Sequence, residues 1–233
     1  MKLAIMQPYL FPYIGYFQLI NAVDAFVVYD DVNYMKGGWI NRNRILANKE
    51  EHLFTLQVRG ASPNKRINEV STGGNKEKLL TTIRQSYAQS KCFESVFPLI
   101  ESVFRNPEEN LSKFLDNGLR NACDFLNVRP TWFVSSQISK DESLTGQDRV
   151  LAICKELRAT HYINPIGGRS LYSKKVFERE GISLSFIEQK ASRYNQNYAD
   201  WVPNLSIIDV LMFNDPAECS QLLSEYELIE GAG

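Results

Sequence analysis

The chain has 233 residues, 44% of them apolar, with 26 basic side chains against 27 acidic ones and a net charge of −1. That length suits one large domain, or one domain with an elaborated insert, and can bury about 70% of the unfolded chain's surface. The balanced charge argues against nucleic acid or an acidic membrane as a partner, so any bound anion must be held by a local cluster.

Residues 3–6 are a short apolar run that predicts a first strand. A loop with Pro8 and Pro12 follows, and a helix starts near Ile14, with Tyr16, Leu19, Ile20 and Val23 spaced i, i+3, i+4, i+7. Residues 25–29 (AFVVY) read as a second buried strand by length and β-branching. Strand, helix and strand within about thirty residues make a βαβ unit, expected to cross over right-handed with parallel strands. A polar, glycine-containing loop over 30–38 leads to two strands, 39–46 and 52–58. Residues 60–75 read as a loop-rich excursion with one short strand near 67–70.

Three helices come next: one holding Leu80, Ile83 and Tyr87, one near 96–104, and one holding Leu111, Phe114, Leu115, Leu119 and Ala122. They are expected to form a helical insert over roughly 75–128 of a single domain. Residues 131–135 (TWFVS) predict a strand. A helix follows Thr145, with Thr145 and Asp148 at capping-box spacing and Val150, Ile153, Cys154 and Leu157 as its inner stripe. A strand over 161–163, a helix over 170–179 and a strand over 182–187 come next. Helices over 206–213, with Ser206 and Asp209 at capping spacing, and over 216–226 close the chain. The alternation predicts an α/β, Rossmann-like three-layer fold with a mainly parallel sheet.

The four cysteines, Cys92, Cys123, Cys154 and Cys219, form no CxxC pair, which argues against a zinc ribbon or a disulfide framework. Cys123 and Cys154 fall in apolar helical patterns and are expected to be small core residues. The two histidines, His52 and His161, have no local partners for a metal site or a triad, so no metal is expected and the cofactor stays open. The opening MKLAIMQPYLFPYIGYF is broken by Gln7, Pro8 and Pro12 and lacks a small-residue cleavage site, unlike a secretion signal. No apolar stretch reaches the length of a membrane span, and a cytoplasmic protein is expected.

Five segments carry groups suited to a ligand. In the first, Gly15 opens a helix whose N-terminal amides can seat a phosphate or carboxylate. Gln7 precedes it, at the end of the first strand. The arrangement is similar to the HIGH motif of nucleotidyltransferases, with Tyr13 and Tyr16 standing where that pattern has histidines. Tyrosine is a neutral donor at pH 7, and Tyr13, Tyr16 and Phe17 read equally well as core aromatics. In the second, Asp30 and Asp31 follow a buried strand, where ligands of open α/β sheets gather. On extended backbone they point to opposite sides, as a sugar-hydroxyl acceptor, a base or simply a turn pair. In the third, Lys36, Trp39, Asn41, Arg42, Asn43 and Arg44 lie close together. Extended backbone from Trp39 would place Trp39, Asn41 and Asn43 on one face, and Arg42 and Arg44 on the other as a clamp for an anion. The alternative is a charged edge strand. In the fourth, Asn164, Gly167, Gly168, Ser170 and Tyr172 mark a strand-to-helix turn that can form an anion nest with Ser170 as cap, or just a tight capped turn. In the fifth, Tyr194, Asn195 and Gln196 stand near Trp201 and Pro203 and suit a polar ligand or a packed loop.

MQPYLFPYIGYF, DDVNYMKGGWINRNRI, YINPIGGRSLY and PNLSIIDVLMFN together resemble the WbqC-like family over essentially the whole chain, most specifically in the opening and in WINRNRI. Family members commonly carry QPTYLPW at the start and Ser-Gly in place of Asn164-Pro165, and this chain departs from both. The resemblance implies a part in bacterial O-antigen and related surface polysaccharide synthesis, where transfer of glycine or another aminoacyl group to an amino sugar has been suggested for one member. It supplies no catalytic residues, so the roles rest on physical reading. A transferase for a nucleotide-linked amino sugar would hold phosphates with Arg42, Arg44 and the helix start at Gly15. Trp39 would stack on the ligand, and Asp31 and Tyr13 would be the catalytic candidates. The partner is thus an anionic small molecule, a nucleotide sugar or acyl donor. The rivals are a nucleotidyltransferase-like enzyme needing a nucleoside triphosphate and magnesium, and a non-catalytic nucleotide-sugar-binding module.

Overall fold

The computed structural model describes residues 1–48, 50–190, 193–197 and 200–231. The chain starts with β1 (Lys2–Met6), α1 (Ile14–Asn21) and β2 (Ala25–Val28). Both strands are almost wholly apolar because both faces are covered. Ala4, Phe26 and Val28 face one helical layer, while Leu3, Ile5, Ala25 and Val27 face the other. Next come β3 (Arg42–Ala47) and β4 (Glu50–Thr55), an antiparallel pair outside the main sheet, and then β5 (Val58–Arg59) and β6 (Ser71–Thr72), a second small pair. Helices α2 (Lys76–Tyr87), α3 (Phe93–Phe104) and α4 (Leu111–Phe125) bury their apolar stripes in the same cluster as α1, so these three helices share their core with one face of the sheet.

The chain continues through β7 (Thr131–Val134), α5 (Gly146–Glu156), β8 (His161–Pro165), α6 (Lys174–Arg179) and β9 (Ser183–Gln189). It then passes through α7 (Ile207–Phe213) and α8 (Pro216–Ser224) to β10 (Tyr226–Glu230). The sheet has six strands in the order β10-β9-β8-β1-β2-β7. All neighbours are parallel except β10, which runs antiparallel on β9. Helices α5 and α6 cover one face through Val150, Ile153, Cys154 and Phe177, and α1, α4, α7 and α8 cover the other. This is the expected three-layer, Rossmann-like arrangement with a mainly parallel sheet. Cys123 and Cys154 are buried in the helical layers, with their thiols unpaired.

Several local expectations are corrected. The strand expected over 39–46 starts only at Arg42, and the one expected over 52–58 runs from Glu50 to Thr55. The expected strand near 67–70 is a 3-10 turn, Ile67–Glu69. The helix expected over 170–179 is split into a 3-10 turn, Ile166–Leu171, and α6, so Ser170 caps nothing; Ser173 stands at the α6 start and makes no side-chain cap. Thr145 likewise makes no capping bond. Ser206 does cap α7 through Ile208 N, but Asp209 does not reciprocate and instead accepts from two tyrosines. The last helix stops at Ser224, leaving YELIE as an edge strand whose mixed composition conceals it.

Candidate functional site

From β1 the chain moves through α1 to β2 and on to β7, and α5 then carries it back across to β8 on the other side of β1. The direction of winding therefore reverses between β1 and β8, with α1 on one face and α5 on the other. In such sheets the crevice at the strand carboxyl ends beside the reversal is where ligands bind. A cleft of about 610 Å³ opens there, lined by the loop into α1, by Trp39, Asn43 and Arg44, by residues 165–167 after β8, by residues 187–190 at the end of β9, and by Trp201, Pro203 and Asn204.

The loop into α1 is built around a left-handed residue. Phe11 has φ 42°, unusual for a residue with a Cβ. Its carbonyl accepts from Asn43 Nδ2 at 2.7 Å and from Ser206 Oγ at 2.7 Å, and these two bonds hold the turn. Ser206 N in turn donates to the Arg44 carbonyl at 2.8 Å. The start of α1, the start of α7 and β3 are thereby tied together at the cleft wall.

Tyr13 stands at the N-cap of α1 with no side-chain cap bond, so the first-turn amides keep the dipole's positive end open. A Cβ on Gly15 would lie 2.4 Å from the edge of the Tyr13 ring and 2.9 Å from Gln189 Oε1. Gly15 is therefore the residue that lets the Tyr13 ring and Gln189 lie close beside the first turn. Burial raises the Tyr13 hydroxyl above its usual range, which keeps it a neutral donor. Arg44 pairs with Glu51 at 2.8 Å in a half-exposed ion pair and reaches the Asn204 carbonyl at 3.4 Å.

Aromatic rings make up much of the wall: Tyr9, Tyr13, Trp39 and Trp201. Arg42 and Arg44 both lie 5.5 Å from the Trp39 ring, so Trp39 stands with the arginines and not with the asparagines, against the expected alternation. The cause is the bend at 39–41, which delays extended backbone until Arg42. Among the described residues, three lining side chains carry buried polar atoms without a hydrogen-bond partner: Gln18 Oε1, Arg44 Nε and Trp201 Nε1. Each such atom costs about 1–3 kcal/mol until something satisfies it.

A model of the WbqC-like protein family matches residues 7–221, a span that takes in every segment lining the cleft. The chain belongs to the WbqC-like family. The Mycobacterium tuberculosis (strain ATCC 25618 / H37Rv) protein called Uncharacterized protein Rv1507c is 28% identical over 227 residues, covering 95% of this chain and 97% of its own. No solved structure matches. Membership in the WbqC-like family is consistent with a biosynthetic role.

In this WbqC-like chain, Tyr13, Gly15, Trp39, Asn43, Arg44, Gly167, Trp201 and Pro203 line the cleft, and the other expected residues do not. Gln7 accepts from Tyr9 on its side chain and from Tyr16 on its carbonyl, while Tyr16 is fully buried in the core. Asn41 is spent on Tyr34 and the Leu56 carbonyl. Arg42 donates to the Gly37 carbonyl, and Lys36 is exposed in the same turn. Asn164 binds Tyr162, which also meets Tyr172. A Cβ on Gly168 would meet Asn164 Nδ2 at 2.1 Å, so this glycine serves close packing. Ser170 is exposed. Gln196 exchanges two hydrogen bonds with the Val202 backbone, which holds Trp201 in place.

The adjacent carboxylates part company. Asp30 accepts from Ser136 and Asn68. Asp31 is fully buried between Lys140 at 2.8 Å and Arg149 at 2.7 Å. Burial alone would raise the Asp31 carboxyl, but the Lys140 hydrogen bond and the charges of Lys140 and Arg149 more than offset it and hold it below the ordinary range. A carboxylate so committed is a weak proton acceptor. Glu188 is the one carboxylate among the described lining residues. It and Gln189 end β9, where the rule applied to Asp30 and Asp31 would have found them. Gln18, a polar residue in an otherwise apolar stretch of α1, was the other overlooked signal. Among the described residues there is no cluster of His, Cys, Asp and Glu able to hold a metal, and no helix long and apolar enough to cross a membrane.

Proposed function

We propose that the cleft binds a nucleotide-linked amino sugar and that the protein transfers a small acyl or aminoacyl group to it in the synthesis of a surface polysaccharide. The observation that carries this reading is the convergence of Arg44 and the open first turn of α1 among four aromatic rings at the winding reversal. Arg44 and the α1 amides would hold the phosphates, and Trp39 would offer its face to the base or sugar. The Arg44–Glu51 pair is half-exposed and worth at most about 1 kcal/mol, so a phosphate can replace Glu51 at little cost. Glu188, in place of Asp31, would take the proton released when the sugar amine attacks the acyl carbonyl and the donor's leaving group departs with the bonding pair. Tyr13 would donate to the ligand without changing charge. Tyr16 is locked in the core, which tells against a HIGH-type pair of catalytic tyrosines.

Calorimetric titration with UDP and with a UDP-linked hexosamine tests the reading. Arg44→Ala should weaken binding by roughly 1.5–3 kcal/mol, the size of a charged hydrogen bond. Glu51→Gln should leave it intact. Equal affinity of wild type and Arg44→Ala would remove the phosphate assignment.

A further inference from the structure

A second cavity, of about 400 Å³, lies at the carboxyl ends of β2 and β7 beneath the first turns of α4. Three side-chain donors of its polar lining are committed to acceptors of the same lining, while those of Gln137 and Lys113 find no partner among the described residues. The amide of Asn68 donates to Asp30 at 3.1 Å, that of Asn110 donates to the Asn68 carbonyl at 2.7 Å, and the Ser136 hydroxyl donates to Asp30 at 2.7 Å. Asp116 has one oxygen on Arg120 Nε at 2.8 Å, and no donor among the described residues reaches the other. Burial raises the Asp116 carboxyl, with Arg120 offsetting part of this and the nearby Asp30 charge adding to it. Independently of this acidic pair, Ser112 is only 3% exposed, and no described residue hydrogen-bonds its hydroxyl. Lys113, also in the lining, is exposed at the surface.

We propose that this cavity binds a small organic ammonium bearing hydroxyl groups, with its charge at Asp30 and Asp116 and a hydroxyl on Ser112. An ammonium brings three donors and one positive charge, which two carboxylates with an open oxygen on Asp116 can take up, while the exposed Lys113 carries its charge out at the surface. Two carboxylates are too few for an all-protein divalent-cation site. The proposal does not rest on the reading of the cleft.

Glucamine, charged at neutral pH, and sorbitol, its uncharged twin, are titrated calorimetrically into the whole protein, with magnesium chloride as a third arm. Glucamine should bind saturably and sorbitol about tenfold more weakly or worse. Asp116→Asn and the cavity-filling Ser112→Met should each cost about tenfold in glucamine affinity. Arg44→Ala, in the other cleft, should change nothing. Thermal melts check that both variants fold, and Ser112→Met decides if Asp116→Asn does not. Absence of saturable glucamine binding, equal affinity for sorbitol, undiminished binding by the folded variants, or displacement of glucamine by magnesium would each overturn the assignment.

Discussion

Replacing Asp31 with asparagine separates a structural carboxylate from a catalytic one. The Asp31 and Lys140 side chains are 0% exposed and that of Arg149 is 8% exposed, so solvent screens their attraction little. Among the described residues, Asp31→Asn leaves the two buried cations with Glu142 as their one carboxylate, which lies 3.4 Å or more away and is 54% exposed. Removing one partner from a buried ion pair costs about 3–5 kcal/mol. For a chain of this length that lowers Tm by about 10 °C. Urea unfolding at neutral pH measures the loss, and Arg149→Met tests its origin, because Asp31→Asn should cost less in that background. The sign with pH follows from the lowered Asp31 carboxyl. Its contribution is present above the ordinary carboxyl value of 3.8 and fades as pH falls through the lowered value, so wild type and variant should converge in acid. A folded Asp31→Asn protein within about 1 kcal/mol of wild type but without activity would refute the structural assignment and return Asp31 to the role of base.

The two glycines of the 166–171 turn should behave oppositely. Gly168→Ala drives a methyl into the Asn164 amide and should cost about 1–3 kcal/mol in a thermal or urea melt, whereas Gly167→Ala meets nothing within 4 Å and should leave stability unchanged. Burial raises the Asp209 carboxyl despite hydrogen bonds from Tyr194 and Tyr87, so its contribution is full below the ordinary value and lost as pH rises through the raised one. Urea midpoints of Asp209→Asn should therefore fall less steeply than those of wild type as pH rises from about 4; parallel curves would contradict this. Tyr194→Phe removes the 2.6 Å bond to Asp209 and should speed hydrogen exchange in the described residues 193–197, with about 1–3 kcal/mol lost overall.

Much of the fold is legible in local pattern. The runs at 3–6 and 25–29, with the stripe of α1 between them, predict the parallel βαβ unit because each residue's period states which face it buries. The pattern falters where the backbone bends for reasons outside the segment. Trp39 joins Arg42 and Arg44 because the turn at 37–41 is set by its packing against neighbouring segments. YELIE becomes a strand because β9 offers it an edge, not through its own propensity.

The cleft is decided at the tertiary level. Arg44 and the helix start at Gly15 were recognisable by residue type, since guanidinium groups and open helix amides favour anions wherever they stand. Whether they met, and whether Glu188, Gln18 and Trp201 joined them, depended on the winding reversal between β1 and β8, which brings five distant segments to one crevice. The sequence by itself marked Asp30 and Asp31 as a pair at a strand end. Only the folded chain assigned Asp31 to Lys140 and Arg149, and Asp30 to a separate cavity, because the partners that set a carboxylate's charge lie more than a hundred residues away.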